Sequence, residues 1–182
     1  MKTFVSFFLL TLSIAFGQNS LQISNGFIQL DATSQNFEEI KAKNNQVKAE
    51  FDPQNGALSC SALIKDFHFK LSLMEEHFNN HYLESDTYPK AYFKGKIIDF
   101  TPAKVTTTGT EFVLKGTLTL HGNSKKISTT IIIKNTSSKY ILETNFDVLL
   151  ADFEIKIPKT LTNQISNTSN IKAKFEFKIS EK

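Results

Sequence analysis

Apolar side chains recur at every second position along most of this chain, from Leu21 to its end. In the segment 112–120, for example, Phe112, Leu114 and Leu118 alternate with valine, lysine and threonine. A period of two places alternate side chains on opposite faces of a β-strand, so each such segment predicts a strand with one apolar face. The pattern predicts about eight strands. Because no long helix alternates with them, a parallel α/β sheet is excluded.

Strands with one apolar face either pack as a sandwich or close into a barrel, and two features favour closure. The long neighbouring strands predicted at 112–120, 124–134 and 139–150 are joined by short turns, as in an up-and-down meander. Gly95 and Gly116 fall on the inward face, where a strongly coiled strand needs room. We therefore predict an all-β fold, an eight-stranded antiparallel barrel.

One stretch departs from the β-pattern between the early and late strands. Ser72 and Glu75 have the spacing of a capping box, which predicts a helix of about 73–84. Pro89 prevents its continuation. One narrow apolar stripe on this helix is formed by Met74, Phe78 and Tyr82. A second short helix can begin after Pro158, near 159–165.

The first residues predict a secretory signal peptide over 1–17. Lys2 supplies its charged start, and the apolar run that follows is too short to cross a bilayer. Cleavage after Gly17 would leave a single domain over 18–182 that begins with Gln18. We therefore expect a periplasmic or secreted protein. No later segment is apolar enough to predict a transmembrane helix.

The charge of the chain bears on nucleic-acid binding, and its cysteine content bears on disulfide formation. The formal net charge is +3, and every basic side chain is a lysine, without the arginine fork that grips phosphate or base edges, so we predict no nucleic-acid partner. Cys60 is the single cysteine, which excludes an intrachain disulfide. Its pattern position suits a small buried hydrophobe. An intermolecular bridge or a reactive thiol stays open.

No residue pattern predicts catalysis. The chain has no nucleophile elbow and no phosphate-binding glycine loop, so we predict neither an enzyme nor a cofactor. His77 and His81 have the helical spacing of metal ligands, with Glu84 or His68 available as a third ligand, but the glutamate of a zinc hydrolase is missing. Two partly exposed polar residues flanking Phe78 are the simpler explanation of the pair. A metal-dependent activity at His77 and His81 is kept as an alternative.

The barrel interior can be filled or hollow. Eight strands enclose a space that side chains just fill, or that holds one ligand. Gly95, Gly116, Ala91 and Ala173 leave gaps between the larger inward side chains. The alternation pattern allows both a filled core and an elongated apolar tunnel.

Three segments carry a resemblance to a known family. Residues 78–95 read FNNHYLESDTYPKAYFKG, residues 116–125 read GTLTLHGNSK and residues 152–158 read DFEIKIP. Together they resemble the signatures of the YceI-like family. The resemblance implies an exported bacterial protein with a lipocalin-like barrel, which holds a long isoprenoid chain and is often a homodimer.

The resemblance and the apolar inward face together predict a lipid-binding protein for an isoprenoid or quinone-like molecule. The alternative is a filled barrel that serves as a structural or stress-related envelope protein without a ligand. The candidate ligand-binding residues are Met74, Phe78, Tyr82, Phe93, Phe112, Leu114, Leu118, Phe175 and Phe177.

Overall fold

The computed structural model describes residues 20–34 and 37–179, and within them the chain forms nine β-strands and one short α-helix. The predicted signal peptide lies outside these residues. The strands are β1 (Leu21–Thr33), β2 (Lys41–Phe51), β3 (Ala57–Leu63), β4 (His68–Phe69), β5 (Lys90–Ile97), β6 (Thr110–Leu120), β7 (Asn123–Asn135), β8 (Lys139–Leu149) and β9 (Ile165–Lys178).

Eight of these strands close into a barrel. Neighbours in the sheet follow the order β1-β9-β8-β7-β6-β5-β3-β2, and pairing of β2 with β1 completes the ring. All of the pairs are antiparallel. The two-residue β4 lies outside the ring and pairs with Ala42 and Lys43 of β2. The predicted eight-stranded antiparallel barrel is therefore confirmed.

Because consecutive strands run in opposite directions, the connections gather at two ends. The end with the β2–β3, β5–β6 and β7–β8 connections is called the lower end, and the other end the upper end. Two of the lower connections are tight, at 52–56 and 136–138. Two of the upper connections are long, at 64–89 and 150–164, and they cover the barrel mouth.

The lower half of the barrel is packed with aromatic rings. Phe51 is fully buried, and its ring centroid lies 5.6 Å from that of Phe100, 5.5 Å from Tyr140 and 5.7 Å from Phe177. Phe100 in turn lies 5.6 Å from Phe112. Edge-on and tilted rings at these separations are a favourable arrangement. The cluster closes the lower half of the interior.

A glycine pair marks the middle of the barrel. Gly95 and Gly116 face each other across β5 and β6, and a Cβ on either would lie 2.5 Å from Cζ of Phe93. The ring of Phe93 therefore lies over both glycines. The two positions supply inward room, as predicted, and a phenylalanine ring fills it.

One seam in the barrel wall is only partly closed. The β7–β8 ladder has five pairs, from Ile131 opposite Thr144 to Asn135 opposite Tyr140. Beyond Thr144 the two strands diverge, and neither 123–130 nor 145–149 has a ladder partner across the seam in the part of the chain that the structure describes. The wall of the upper half is thus less tightly bonded than that of the lower half.

The helix in the β3–β5 connection differs from prediction at its start. Helix α1 (Ser72–His77) continues into a π-helical turn, Phe78–Tyr82, close to the predicted range. The predicted capping box is wrong. The side chain of Ser72 makes no cap hydrogen bond. Oε2 of Glu75 accepts a hydrogen bond from the backbone N–H of Phe69, 3.0 Å away, because β4 lies directly beside the helix start.

The second predicted helix is also shorter than expected. A single 3-10 turn, Lys159–Leu161, follows Pro158, and β9 begins at Ile165. Too few residues separate the proline from the strand for a longer helix. No helix in the described ranges is long and apolar enough to cross a membrane.

Candidate functional site

The upper half of the barrel contains a cavity of about 510 Å³. Helix α1 with its π-helical turn covers one side, and the segment between β8 and β9 borders another. The size lies within the range of small-molecule binding pockets. Strand residues that line it include Ile28, Leu30, Ala32, Leu58, Cys60, Ala62, Ala91, Phe93, Leu114, Leu118, Leu120, Thr144, Phe146, Val148, Ser169, Ile171, Ala173 and Phe175.

The two hydroxyl side chains that the barrel strands contribute to the wall bond to the backbone and not to a group inside the cavity. The Thr144 hydroxyl donates to the carbonyl oxygen of Thr130, 2.8 Å away. The buried Ser169 hydroxyl lies 3.5 Å from the carbonyl oxygen of Asp31. A polar ligand group inside would lose its hydrogen bonds to water without replacement, which is costly. The wall therefore suits an apolar chain.

Cys60 belongs to the same wall. Burial raises the pKa of its thiol to about 12, and a hydrogen bond with the backbone of Phe93 opposes this rise only in part. The thiol is thus neutral at physiological pH and behaves as a small apolar group. This supports the buried-hydrophobe interpretation over the reactive thiol.

The cavity opens to solvent at the upper end, since several of its lining side chains are exposed there. On the helix side these are Leu71, just before α1, and Leu73 and His77 within it. The others are Glu38 in the β1–β2 connection and Gln164 just before β9. These residues form the mouth. The polar groups that a ligand meets are therefore gathered at the opening.

The helical cover is held by ring contacts at Phe78. Its ring centroid lies 5.0 Å from that of Phe69 and 6.0 Å from that of Phe67. The backbone N–H of Leu83 donates to the carbonyl of Phe78 at 2.9 Å, which forms the π-helical turn. Such turns are frequent at functional sites. Here the turn keeps both Phe78 and Tyr82 on the cavity wall.

A histidine joins three segments that border the cavity. Nε2 of His121, in the β6–β7 turn, lies 3.0 Å from Oε2 of Glu84, at the end of the helical cover. Nδ1 lies 3.0 Å from the carbonyl oxygen of Phe153, in the β8–β9 connection. The ring also meets that of Tyr88 edge-on, with centroids 4.7 Å apart. Asn123 donates to the same Phe153 carbonyl at 3.3 Å.

Both neighbours of the His121 ring nitrogens are acceptors. Glu84, His121 and Glu154 also have left-handed backbone conformations, with φ of 44°, 48° and 59°. Non-glycine residues rarely adopt this conformation. The bonds made by His121 therefore hold a strained junction between the two covers of the cavity.

The structure brings seven of the nine predicted ligand-binding residues to the cavity. They are Met74, Phe78, Tyr82, Phe93, Leu114, Leu118 and Phe175. Phe112 and Phe177 lie below it in the packed lower half. Both residues face inward, but they lie near the lower ends of their strands. Ligand contact by the other seven stays a prediction.

Several wall residues were missed by the sequence analysis. On β8, Phe146 and Val148 line the cavity, and the alternation of that strand already marked them as inward. On β1, Ile28 and Leu30 line it too, but bulges near Gly26 disturb the period of two. Leu71 continues the alternation of Phe67 and Phe69, whereas Leu73 had no signal because it lies in the first turn of a helix.

The histidine pair on the helix is not joined by a third metal-ligating side chain. The rings of His77 and His81 lie 5.4 Å apart. Their expected companions are engaged elsewhere, Glu84 with His121 and His68 with Glu75. No group of three potential metal ligands occurs in residues 20–34 and 37–179. The geometry does not favour the metal alternative.

Comparison with known families and structures gives a consistent result. Residues 17–177 match the YceI-like domain. No curated protein matches the sequence significantly. A solved polyisoprenoid binding domain from Saccharophagus degradans, implicated in plant cell wall breakdown, superposes with a TM-score of 0.72 at 14% identity, covering 88% of this chain and 98% of that one.

Two further solved structures share the fold. BcnA of Burkholderia cenocepacia has a TM-score of 0.68 at 14% identity, with 85% of this chain and 96% of that chain covered. The YCEI protein of Campylobacter jejuni has a TM-score of 0.57 at 18% identity, with 98% and 94% covered. Identities this low establish a common fold and no more.

Proposed function

Because the chain belongs to the YceI-like family and encloses an apolar cavity open at one end, we propose that it binds a long apolar molecule of isoprenoid or quinone type. The cavity carries the proposal. The strand part of its wall is apolar, and the two hydroxyls there, those of Thr144 and Ser169, bond to the backbone. The solved domain from Saccharophagus degradans, a polyisoprenoid binding domain, has the same fold and also supports the proposal.

The position of the cavity suggests how such a molecule would lie. The lower aromatic cluster is a floor, so the chain would extend from the mouth down to Phe93 and Phe175. The head group would stay at the mouth, near Glu38, His77 and Gln164. Each buried methylene contributes about 0.8 kcal/mol, so the chain alone supplies firm but weakly specific binding.

The proposal extends to location, assembly and chemistry. With a signal peptide over 1–17, the protein would act in the periplasm or outside the cell, and it would bind without catalysing a reaction. A homodimer is the assembly that the family suggests. The mass of the mature protein tests the first point, because cleavage after Gly17 leaves Gln18 as the first residue. Sedimentation tests the second.

Binding itself is tested in two steps. The purified protein is extracted into organic solvent and the extract is analysed by mass spectrometry, with a long-chain lipid expected. The delipidated protein is then titrated with a fluorescent apolar probe. Leu118→Trp should abolish uptake because Leu118 lines the cavity. Thr117→Trp, at the exposed neighbouring position, should leave uptake unchanged. Absence of both lipid and uptake, or equal loss in the two variants, would contradict the proposal.

A further inference from the structure

Exposed apolar side chains lie at the mouth of the cavity. Leu73 and Leu71 are 61% and 40% exposed, yet both also line the cavity. Phe37 is 47% exposed and precedes Glu38, another lining residue. We call Phe37, Leu71 and Leu73 the apolar lip. Its leucines are part of the outer surface and of the ligand-facing wall at the same time.

The three side chains come from two segments that lie next to each other. β4, just before Leu71, pairs with the start of β2, just after Phe37, through Phe69 opposite Ala42. The pKa of Glu39 is lowered, mainly by its hydrogen bond from Lys41, and the charge of Lys70 adds to the lowering. The β1–β2 connection and the helix start thus form one side of the mouth.

Charges of both signs flank the lip in nearly equal number. The segment 37–43 carries two glutamates and two lysines, and Lys41 lies 2.6 Å from Glu39. On the helix side, Lys70 is followed by Glu75 and Glu76. A surface of this kind has no strong field of one sign to attract a polyanion. It complements a layer of zwitterionic head groups, where both signs are also present.

We propose that the apolar lip docks onto the surface of a lipid bilayer, so that an apolar chain passes from the bilayer into the cavity without crossing water. The inference rests on the proposed function, because it concerns how the same cavity is filled. A long chain exposed to water loses favourable free energy with every methylene. Leu71 and Leu73 offer a continuous apolar path, since each reaches from the outer surface to the cavity wall. That continuity favours a lipid surface over a protein partner.

The test measures transfer of a fluorescent long-chain probe from phosphatidylcholine vesicles into the delipidated protein that begins with Gln18. Phe37→Glu removes apolar lip surface at the lip residue that does not line the cavity. Losing insertion of one phenylalanine side chain should slow transfer about tenfold. Val113→Glu is the control, because Val113 is 45% exposed and lies toward the lower end. It should transfer at the wild-type rate.

The same variants are titrated with the probe delivered from a cyclodextrin complex, which needs no bilayer. Phe37→Glu should then bind like the wild type, which separates docking from binding and shows that the variant is folded. Equal transfer rates for Phe37→Glu and wild type, or equal slowing by Val113→Glu, would overturn the docking proposal. Transfer that requires anionic lipid and is lost at high salt would also overturn it. A wild-type protein that binds no probe from either source would overturn the proposed function and this inference with it.

Discussion

The two halves of the barrel are built from the same strands but have different interiors. In the lower half, Phe51 contacts the rings of Phe100, Tyr140 and Phe177, and none of these four rings lines the cavity. In the upper half, the same inward face surrounds about 510 Å³ of space. Phe100 comes from a connection between strands. The helical cover above instead places Phe78 against the wall and Leu73 at the rim. Aromatic rings near the lower ends of four strands, together with Phe100 from a connection, therefore fill the lower half.

The sharpest test of this difference truncates one phenylalanine in each half. Phe51→Ala should lower the free energy of unfolding by about 3–5 kcal/mol, because it removes a fully buried ring from close packing. Phe146→Ala should cost roughly half as much, because this half-buried ring already faces the cavity and lacks neighbours there. Urea unfolding of delipidated protein measures both. Equal losses would mean that the halves are equally packed.

A second test adds volume. Ala49→Leu, in the buried core outside the cavity, should destabilise by about 1–3 kcal/mol through overpacking. Ala62 is equally buried but lines the cavity, so Ala62→Leu can project into empty space. We expect its effect on stability to be below about 1 kcal/mol, with weaker probe uptake. A large loss of stability from Ala62→Leu would show that the cavity is not available.

The sequence already indicated the barrel, since the period of two needs only side-chain type. The period of two does not show how far along the barrel axis an inward residue lies. Phe112 and Phe93 have identical alternation, yet Phe112 lies near the lower end of β6 and Phe93 lies at the cavity. The direction of each strand, which sets whether a residue lies near the upper or the lower end, could have distinguished these two positions. The burial of Phe100 could not have been read from a period, because it lies in an irregular connection.

A third test concerns the junction above the cavity. His121→Ala removes the hydrogen bonds to Glu84 and Phe153, so stability should fall by about 1–2 kcal/mol. Hydrogen exchange should accelerate in the two cover segments, 83–88 and 150–155, while the β5–β6 ladder keeps its protection. Lys125→Ala, an exposed change on β7, is the matched control. Uniform acceleration across the barrel would contradict a local role for His121.

The thiol in the cavity wall should affect stability only above physiological pH. The pKa of Cys60 is raised from 9.0 to about 12 by burial, so the folded chain keeps this proton longer than the unfolded chain. Stability should therefore fall as pH rises from 9 to about 12, with Cys60 contributing at most about 1.4 kcal/mol per pH unit. Unfolding measured for wild type and Cys60→Ala isolates the contribution. Identical pH profiles would mean that the thiol is not desolvated.

The central claim is that a ligand chain occupies the upper half of the barrel alone. Methyl NMR of the delipidated protein, titrated with a long-chain apolar probe, tests it most directly. Signals from the cavity residues Leu118, Val148 and Ile155 should shift with occupancy. Those of Ile133 and Leu142, in the core outside the cavity, should stay in place. Shifts of equal size in both groups, or shifts confined to exposed methyls such as those of Val113, would contradict the account.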